Sequence, residues 1–269
     1  MIIRKKTVFL LGLITTTIIA ENQNWSTGTA YTMQKGRWEV GIFQPLRYGF
    51  KNNIELSTHP VWNFLIPNFS MKKIWSSHNE LAFSSRHNIV YPTPMFKWLQ
   101  SPLGKELGEP DKFALISPEF EIPPIISFHN ELLMSRPISR GGVTFKAGMT
   151  FAFISGELDE RVTIDLPVVF HRMIVMQNGY GFNVGVDYLY QLTAKFLLWT
   201  DVDFILIPGV DEDIAIENKG ILIYERNHNF RTLIGYKLIY GKYPAGYPLD
   251  FKSFLHILPI LDLQWGWGF

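Results

Sequence analysis

From Leu261 to Phe269 the chain alternates without a break. Leu261, Leu263, Trp265, Trp267 and Phe269 are apolar or aromatic, and Asp262, Gln264, Gly266 and Gly268 are polar or lack a side chain. A period of two describes a β-strand with one apolar and one wet face. A soluble chain gains little from an exposed aromatic row at a fraying end. A strand gains from that row if its apolar side meets lipid and its small, polar side meets a lumen, with the aromatics at the water interface.

The same alternation recurs upstream. Trp38, Val40 and Ile42 alternate with Arg37, Glu39 and Gly41; Val143, Phe145, Met149, Phe151 and Phe153 with Thr144, Lys146, Gly148, Thr150 and Ala152. Tyr180, Phe182, Val184, Val186, Tyr188 and Tyr190 alternate with Gly179, Gly181, Asn183, Gly185, Asp187 and Leu189, a polar face rich in glycine that suits a crowded lumen or a bend. Cutting the pattern at turn signals predicts strands at 37–49, 53–59, 68–76, 80–91, 125–136, 143–154, 161–173, 180–191, 195–207, 219–227, 230–241 and 253–269. The expected fold is all-β: a transmembrane, antiparallel, up-and-down β-barrel of about 12 strands.

Composition agrees with that pattern. Of 269 residues 47% are hydrophobic and 15% aromatic, yet mean hydropathy is only +0.06, so apolar residues are evenly diluted by polar ones. The N-terminus reads as a secretory signal: Arg4, Lys5 and Lys6, then an apolar run from Thr7 to Ile19, with cleavage expected near Ala20. That divides the chain into a signal peptide, 1–20, and one barrel domain, 21–269. Removing the signal leaves 22 of the 25 basic residues against 24 acidic ones, a net charge of −2, which points away from nucleic acid. With no cysteine there is no disulfide scaffold, thiolate metal site or thiol nucleophile.

On the signal peptide, the alternating strands and the terminal Leu-x-Leu-x-Trp-x-Trp-x-Phe, the chain resembles the class of bacterial outer-membrane β-barrel proteins. The resemblance implies an outer-membrane location, lipids and the barrel assembly machinery as partners, and Leu261, Leu263, Trp265, Trp267 and Phe269 as the assembly signal. It also implies an even strand number with both termini on the periplasmic side. The loops at 208–218 and 242–252 then fall outside, and the short turns near 192–194 and 228–229 inside. Residues 92–124, with seven of the 16 prolines, fall by parity at the periplasmic mouth. Within them Met95, Leu99, Leu103 and Leu107 repeat every four residues, as in a short amphipathic helix ended by Gly108 that caps the opening.

Candidate chemistry is sparse. The seven histidines sit in no compact metal spacing, and no cofactor motif is present, so neither a metal nor a cofactor is expected. Some outer-membrane barrels are acyl hydrolases with serine and histidine on the outer wall. Ser127, His129 and Glu131 share one face of a strand and could supply nucleophile, base and orienting carboxylate; the same spacing arises on any polar strand face. The expected lumen charges are Arg37, Lys146, Lys195, Arg231 and Lys237 against Glu39, Asp165, Asp187, Asp201, Asp203 and Asp262. A pore selecting one ion sign shows a bias, whereas near balance points to cross-strand pairs filling the lumen. The reading is a non-enzymatic barrel, either a small, porin-like channel or a structural barrel with a charge-balanced lumen. The alternatives are an acyl hydrolase and a soluble periplasmic β-sandwich or binding barrel.

Overall fold

The protein is described by a computed structural model that covers residues 25–26, 28–78, 80–100, 116–159, 162, 167–210, 214–245 and 250–268. Period-two segments become strands wherever a turn lets the chain reverse. In order they are β1 (Trp38–Gly41), β2 (Leu46–Lys51), β3 (Ile54–Thr58), β4 (Asn68–His78), β5 (Leu81–Val90), β6 (Ile125–Ile138) and β7 (Gly141–Ile154), then β8 (Tyr180–Gln191), β9 (Phe196–Leu206), β10 (Ile214–Asn227), β11 (Phe230–Ala245) and β12 (Asp250–Trp267). Helix α1 (Thr93–Gln100) lies between β5 and β6, and α2 (Pro167–Asn178) between β7 and β8. Each strand pairs antiparallel with the next, and β1 pairs back onto β12, closing a 12-strand barrel. The seam registers Trp38 with Trp267, Val40 with Trp265 and Gly41 with Gln264, so the last strand pairs back onto the first at the terminal end.

Two expected strands differ. The span 37–49 is two strands, because Ile42 to Pro45 turn the chain back; Gly41 N donates to Gln44 O, and Pro45 has no N–H to continue a ladder. The expected strand 161–173 is helical from Pro167 onward, and residues 160–161 and 163–166 lie outside the described ones. Phe170, Met173, Ile174 and Val175 follow helical spacing, and Gly179, with φ +85°, ends the helix in a conformation open to glycine. The two differences cancel in the strand count but not in parity. Residues 92–100 and 116–124 therefore lie at the end opposite the start of β1 and the end of β12, with α2 and residues 207–210, and not at the terminal mouth.

Along each strand alternate residues face outward. On β12, Leu261, Leu263, Trp265 and Trp267 point out while Asp262, Gln264 and Gly266 are buried within. The outward surface carries two aromatic bands. One, at the terminal end, contains Trp38 stacked on Tyr48, Tyr188 on Tyr190, Phe196 against Tyr224 and Phe230 against Trp265. The other, at the far end, contains Phe69, Phe128, Phe153, Tyr180 and Phe182. Leu132, Val184, Val186, Val202, Ile234 and Leu261 fill the belt between them, all exposed. This is the inside-out pattern of a lipid-facing wall. Among the described residues no helix is long and apolar enough to cross a membrane.

Val184, 54% exposed in mid-strand, tests the belt. In lipid vesicles Val184→Arg should lower the unfolding free energy by about 2–4 kcal/mol, read by denaturant titration. Lys195→Ala, in an exposed turn, should change it by less than about 0.5 kcal/mol.

Candidate functional site

The inward face collects most of the charged groups, and three levels of the lumen are occupied. At the terminal end the segment before β1 runs inside the barrel. Trp25 is sandwiched between guanidinium groups, 4.9 Å from Arg37 and 4.4 Å from Arg231. Ser26 N donates to both carboxylate oxygens of Glu39 at 3.0 Å, and its hydroxyl donates to Glu55 at 2.8 Å. Arg231 donates to Gln264 at 2.6 Å and to the Ser26 carbonyl at 3.1 Å, and Gln264 donates to Asp262 at 2.8 Å. Met33 N donates to Glu55, which also pairs with Lys72 at 3.2 Å. Ala30 N donates to Ser135 Oγ on β6 at 2.7 Å. Contacts to β1, β3, β6, β11 and β12 from one segment are possible only from within. Two glycines make room: any side chain at Gly266 would meet Arg37, and any at Gly28 would meet Asp187.

At mid-height an ion-pair cluster crosses β7 to β10. Lys146 Nζ lies 2.8 Å from Asp187, 2.7 Å from Asp203 and 4.0 Å from Asp201, which pairs with Lys219 at 2.6 Å. Buried ions are tolerated when paired and hydrogen-bonded. Lys146 donates to Asp187 and to Asp203 Oδ2, and Asp201 is paired with Lys219, while Asp203 Oδ1 is a buried oxygen without a hydrogen-bond donor among the described residues. Gly185 is the space-maker, since a side chain there would meet Asp203.

At the far end α2 packs inside the wall. Arg172 and Lys237 both donate to Glu217, at 2.8 and 2.7 Å. Phe170, Ile174 and Val175 pack on Ile205, Ile207 and Ala215. Gly181 and Gly241 leave the space that Val175 and His171 fill. Helix α1 covers α2: Phe96 and Leu99 cluster with Ile116, Ile122, Ile125 and Met173, with Met95 and Trp98 against them. Thr93 Oγ1 anchors its start, accepting from Ile125 N at 2.8 Å and donating to Pro123 O at 3.3 Å. Leu103, Leu107 and Gly108 lie outside the described residues.

Arg37, Glu39, Lys146, Asp187, Asp201, Asp203, Arg231, Lys237 and Asp262 all sit in these clusters. Lys195 does not: β9 starts at Phe196, and Lys195 is exposed in the preceding turn, so the lumen position expected for it does not hold. Asp165 and Phe269 lie outside the described residues. Sequence reasoning missed Glu55, Lys72, Arg86, Arg172, Glu217 and Lys219. The first three lie on strands whose phase no clean alternation marks, and Arg172 was assigned to a strand.

The Ser127, His129 and Glu131 triplet faces the lumen and not the outer wall. Ser127 and Glu131 are buried; His129 Nδ1 turns to Thr150 Oγ1 at 2.9 Å, and Glu131 pairs with Arg86 at 3.3 Å. Among the described residues no group of three or more His, Asp or Glu side chains is placed to hold a metal.

Burial of His171 lowers its pKa below the ordinary 6.5, with Arg172 acting in the same direction and Glu217 in the other. The docked helix therefore favours neutral imidazole. Its docking is strongest above the ordinary value and weakens as pH falls through it, because the undocked helix binds the proton more readily. Hydrogen exchange across 167–178, corrected for its intrinsic pH dependence, should rise between pH 7 and pH 5, and His171→Phe should remove most of that rise.

No family model matches the chain, and a search of curated proteins finds no relative. Solved structures do match. Outer-membrane expressed OmpT of Vibrio cholerae is 9% identical with a TM-score of 0.44, over 85% of this chain and 64% of that one. OmpT of Vibrio cholerae folded in vitro is 8% identical with a TM-score of 0.42 and the same coverage. The chain thus spans about 64% of the length of the OmpT structures. An outer-membrane channel from Pseudomonas putida F1 is 8% identical with a TM-score of 0.46, over 91% of this chain and 100% of that one.

Proposed function

We propose that this chain is an outer-membrane β-barrel held shut from within. It serves as a structural barrel, or as a small channel that conducts only when the 25–37 segment or α2 withdraws. The observation that carries this reading is the Arg37–Trp25–Arg231 sandwich. Side chains lining a water-filled pore are wet, yet Arg37 is 0%, Arg231 2% and Trp25 5% exposed. The membrane part rests on the two aromatic bands and the aliphatic belt between them. Location in the outer membrane rests further on the expected signal peptide, which lies outside the described residues. A β-sandwich is set aside by the single closed sheet.

The test is conductance in planar bilayers. The wild-type barrel should sit closed, and deletion of 25–33, or Arg172→Ala combined with Gly241→Val to displace α2, should produce stable open levels. Folding of each variant is checked by its altered gel mobility before and after boiling. A wild-type barrel that rests open, or folded variants that stay as closed as the wild type, would refute the plugged reading.

The outward row of β12 is proposed as the surface that the barrel assembly machinery and the lipid interface both read. Trp265→Ser with Trp267→Ser should lower the folded fraction in membranes far more than Lys195→Ala, measured by fractionation and gel mobility. Equal folded fractions would remove that role.

A further inference from the structure

The lipid-facing wall carries a polar cluster that the lumen reading does not use. On β5, residues 83, 85, 87 and 89 face outward, because Ala82 packs inward with Ala30 and Leu133, and Arg86 reaches Glu131 inside. His87 Nε2 lies 2.8 Å from Ser85 Oγ. His87 Nδ1 lies 2.7 Å from Asn130 Oδ1 on the outward face of β6, its register partner. Trp75 Nε1 donates to Ser85 Oγ at 2.7 Å, and Lys73 Nζ sits 3.8 Å over the Trp75 ring. Polar groups turned to hydrocarbon are unfavourable, so such a cluster on a lipid-facing belt points to a site.

The partners fix the proton positions. An amide oxygen accepts only, so His87 Nδ1 carries its proton toward Asn130 and Nε2 is left as the base. Trp75 N–H is donor only, so Ser85 Oγ accepts from it and gives its own proton to Nε2. The result is serine, histidine and asparagine in one hydrogen-bonded line, the nucleophile–base–orienter arrangement of acyl transfer. Its depth suits an ester. One outward step from the His87 row lies the far-end aromatic band, with Ile89 in register with Phe69 and Phe128. An apolar groove beside it is lined by Phe69, Ile89, Tyr91 and Ile126.

We propose that Ser85, His87 and Asn130 form a serine esterase site on the outer wall, whose substrate is the acyl ester of a membrane glycerolipid entering sideways from the bilayer. This rests on the lipid-facing reading of the wall and is independent of whether the lumen conducts. Ser85 Oγ attacks the ester carbonyl carbon while His87 Nε2 takes the hydroxyl proton. The tetrahedral centre collapses with cleavage of the bond to the glyceryl oxygen, and His87 returns the proton to that leaving oxygen. Water then attacks the acyl-serine, giving one proton to His87, which passes it to Ser85 Oγ as the carboxylic acid departs. The sum is ester plus water giving acid plus alcohol, with no other reactant. Asn130 holds the imidazole tautomer and is a positioning residue. Ser85 is 3% exposed beneath the Trp75 indole, whereas Trp75 is 61% exposed, so rotation of one surface side chain uncovers the nucleophile. Lys73 offers an ammonium to a lipid phosphate.

The test uses the full chain, purified in detergent, with a fluorophosphonate probe and with mixed micelles of dioleoyl phosphatidylglycerol. The wild type should be labelled at Ser85, located by mass spectrometry of the labelled peptide, and should release oleate. Ser85→Ala and His87→Ala should abolish both signals. Asn130→Ala should lower kcat at least about tenfold with little change in KM, since a positioning role acts on the chemical step. Ser127→Ala should leave both signals intact. Folded wild-type protein that neither labels nor releases oleate overturns the proposal, as does activity that survives Ser85→Ala. Labelling of the wild type stands as evidence even if a variant fails to fold. Micellar activity does not need a bilayer location, so failure of the membrane reading, seen as soluble protein without heat-dependent mobility, is separable from failure of the site.

Discussion

Closure of the sheet is the constraint on which everything else depends. In a hydrocarbon surrounding, each backbone N–H and C=O must find its partner within the protein, and only a closed ladder supplies them all for strands. Here closure rests on a short element, the four residues of β1 against the end of β12. The seam is reinforced on both faces. Outside, Trp38 and Trp267 stand in register; inside, Arg37 lies over Gly266 and donates to the His228 carbonyl at 2.6 Å. Segment 25–37 therefore does two things at once: it fills the lumen and ties the first strand to the β10–β11 turn through Arg37.

Closure also creates the lumen problem. Alternation places a charged or polar face inside, and a barrel of this size cannot close over that face with side chains of one strand alone. The chain answers with its own elements: an extended segment at the terminal end, a helix at the other, and ion pairs between. Each inserted element is matched by a missing side chain, in the wall or in the element itself. Gly28 and Gly266 admit Asp187 and Arg37, Gly185 admits Asp203, and Gly181 and Gly241 admit α2. Removing an inserted element would leave paired charges half paired, so the plugs and the ion network stabilise one another.

The outer wall obeys the opposite rule and breaks it most plainly on β5 and β6. Aliphatic and aromatic groups face outward almost throughout, yet β5 and β6 turn a hydroxyl, an imidazole and a carboxamide to the same side, joined in a line through His87. A wall under pressure only to dissolve in lipid would place Val or Leu at those positions. The lumen and the wall are thus two separate chemical surfaces of one sheet, and a role for one does not constrain the other.

Much of the architecture was legible in the residues. Period-two alternation over β7, β8 and β12 follows from the pleat, a local property, so barrel class, strand phase and the inward placement of Lys146, Asp187, Asp201 and Asp262 could be read without coordinates. The turn at Ile42 to Pro45 and the helix at Pro167–Asn178 could not. Val162, Ile164, Leu166 and Val168 alternate as a strand would, and it is the space left by Gly181 on β8 and Gly241 on β11 that gives α2 its place. Parity then moved residues 92–100 and 116–124 to the other end, since parity sums every earlier decision. The two serine–histidine pairs show the same limit. Ser127-x-His129 and Ser85-x-His87 have one spacing, and nothing local separates them. Only the closed sheet decides that the first pair faces the lumen and Thr150, whereas the second faces outward and meets Asn130 across the β5–β6 ladder, because facing and partnership belong to the register of two strands and not to either one alone.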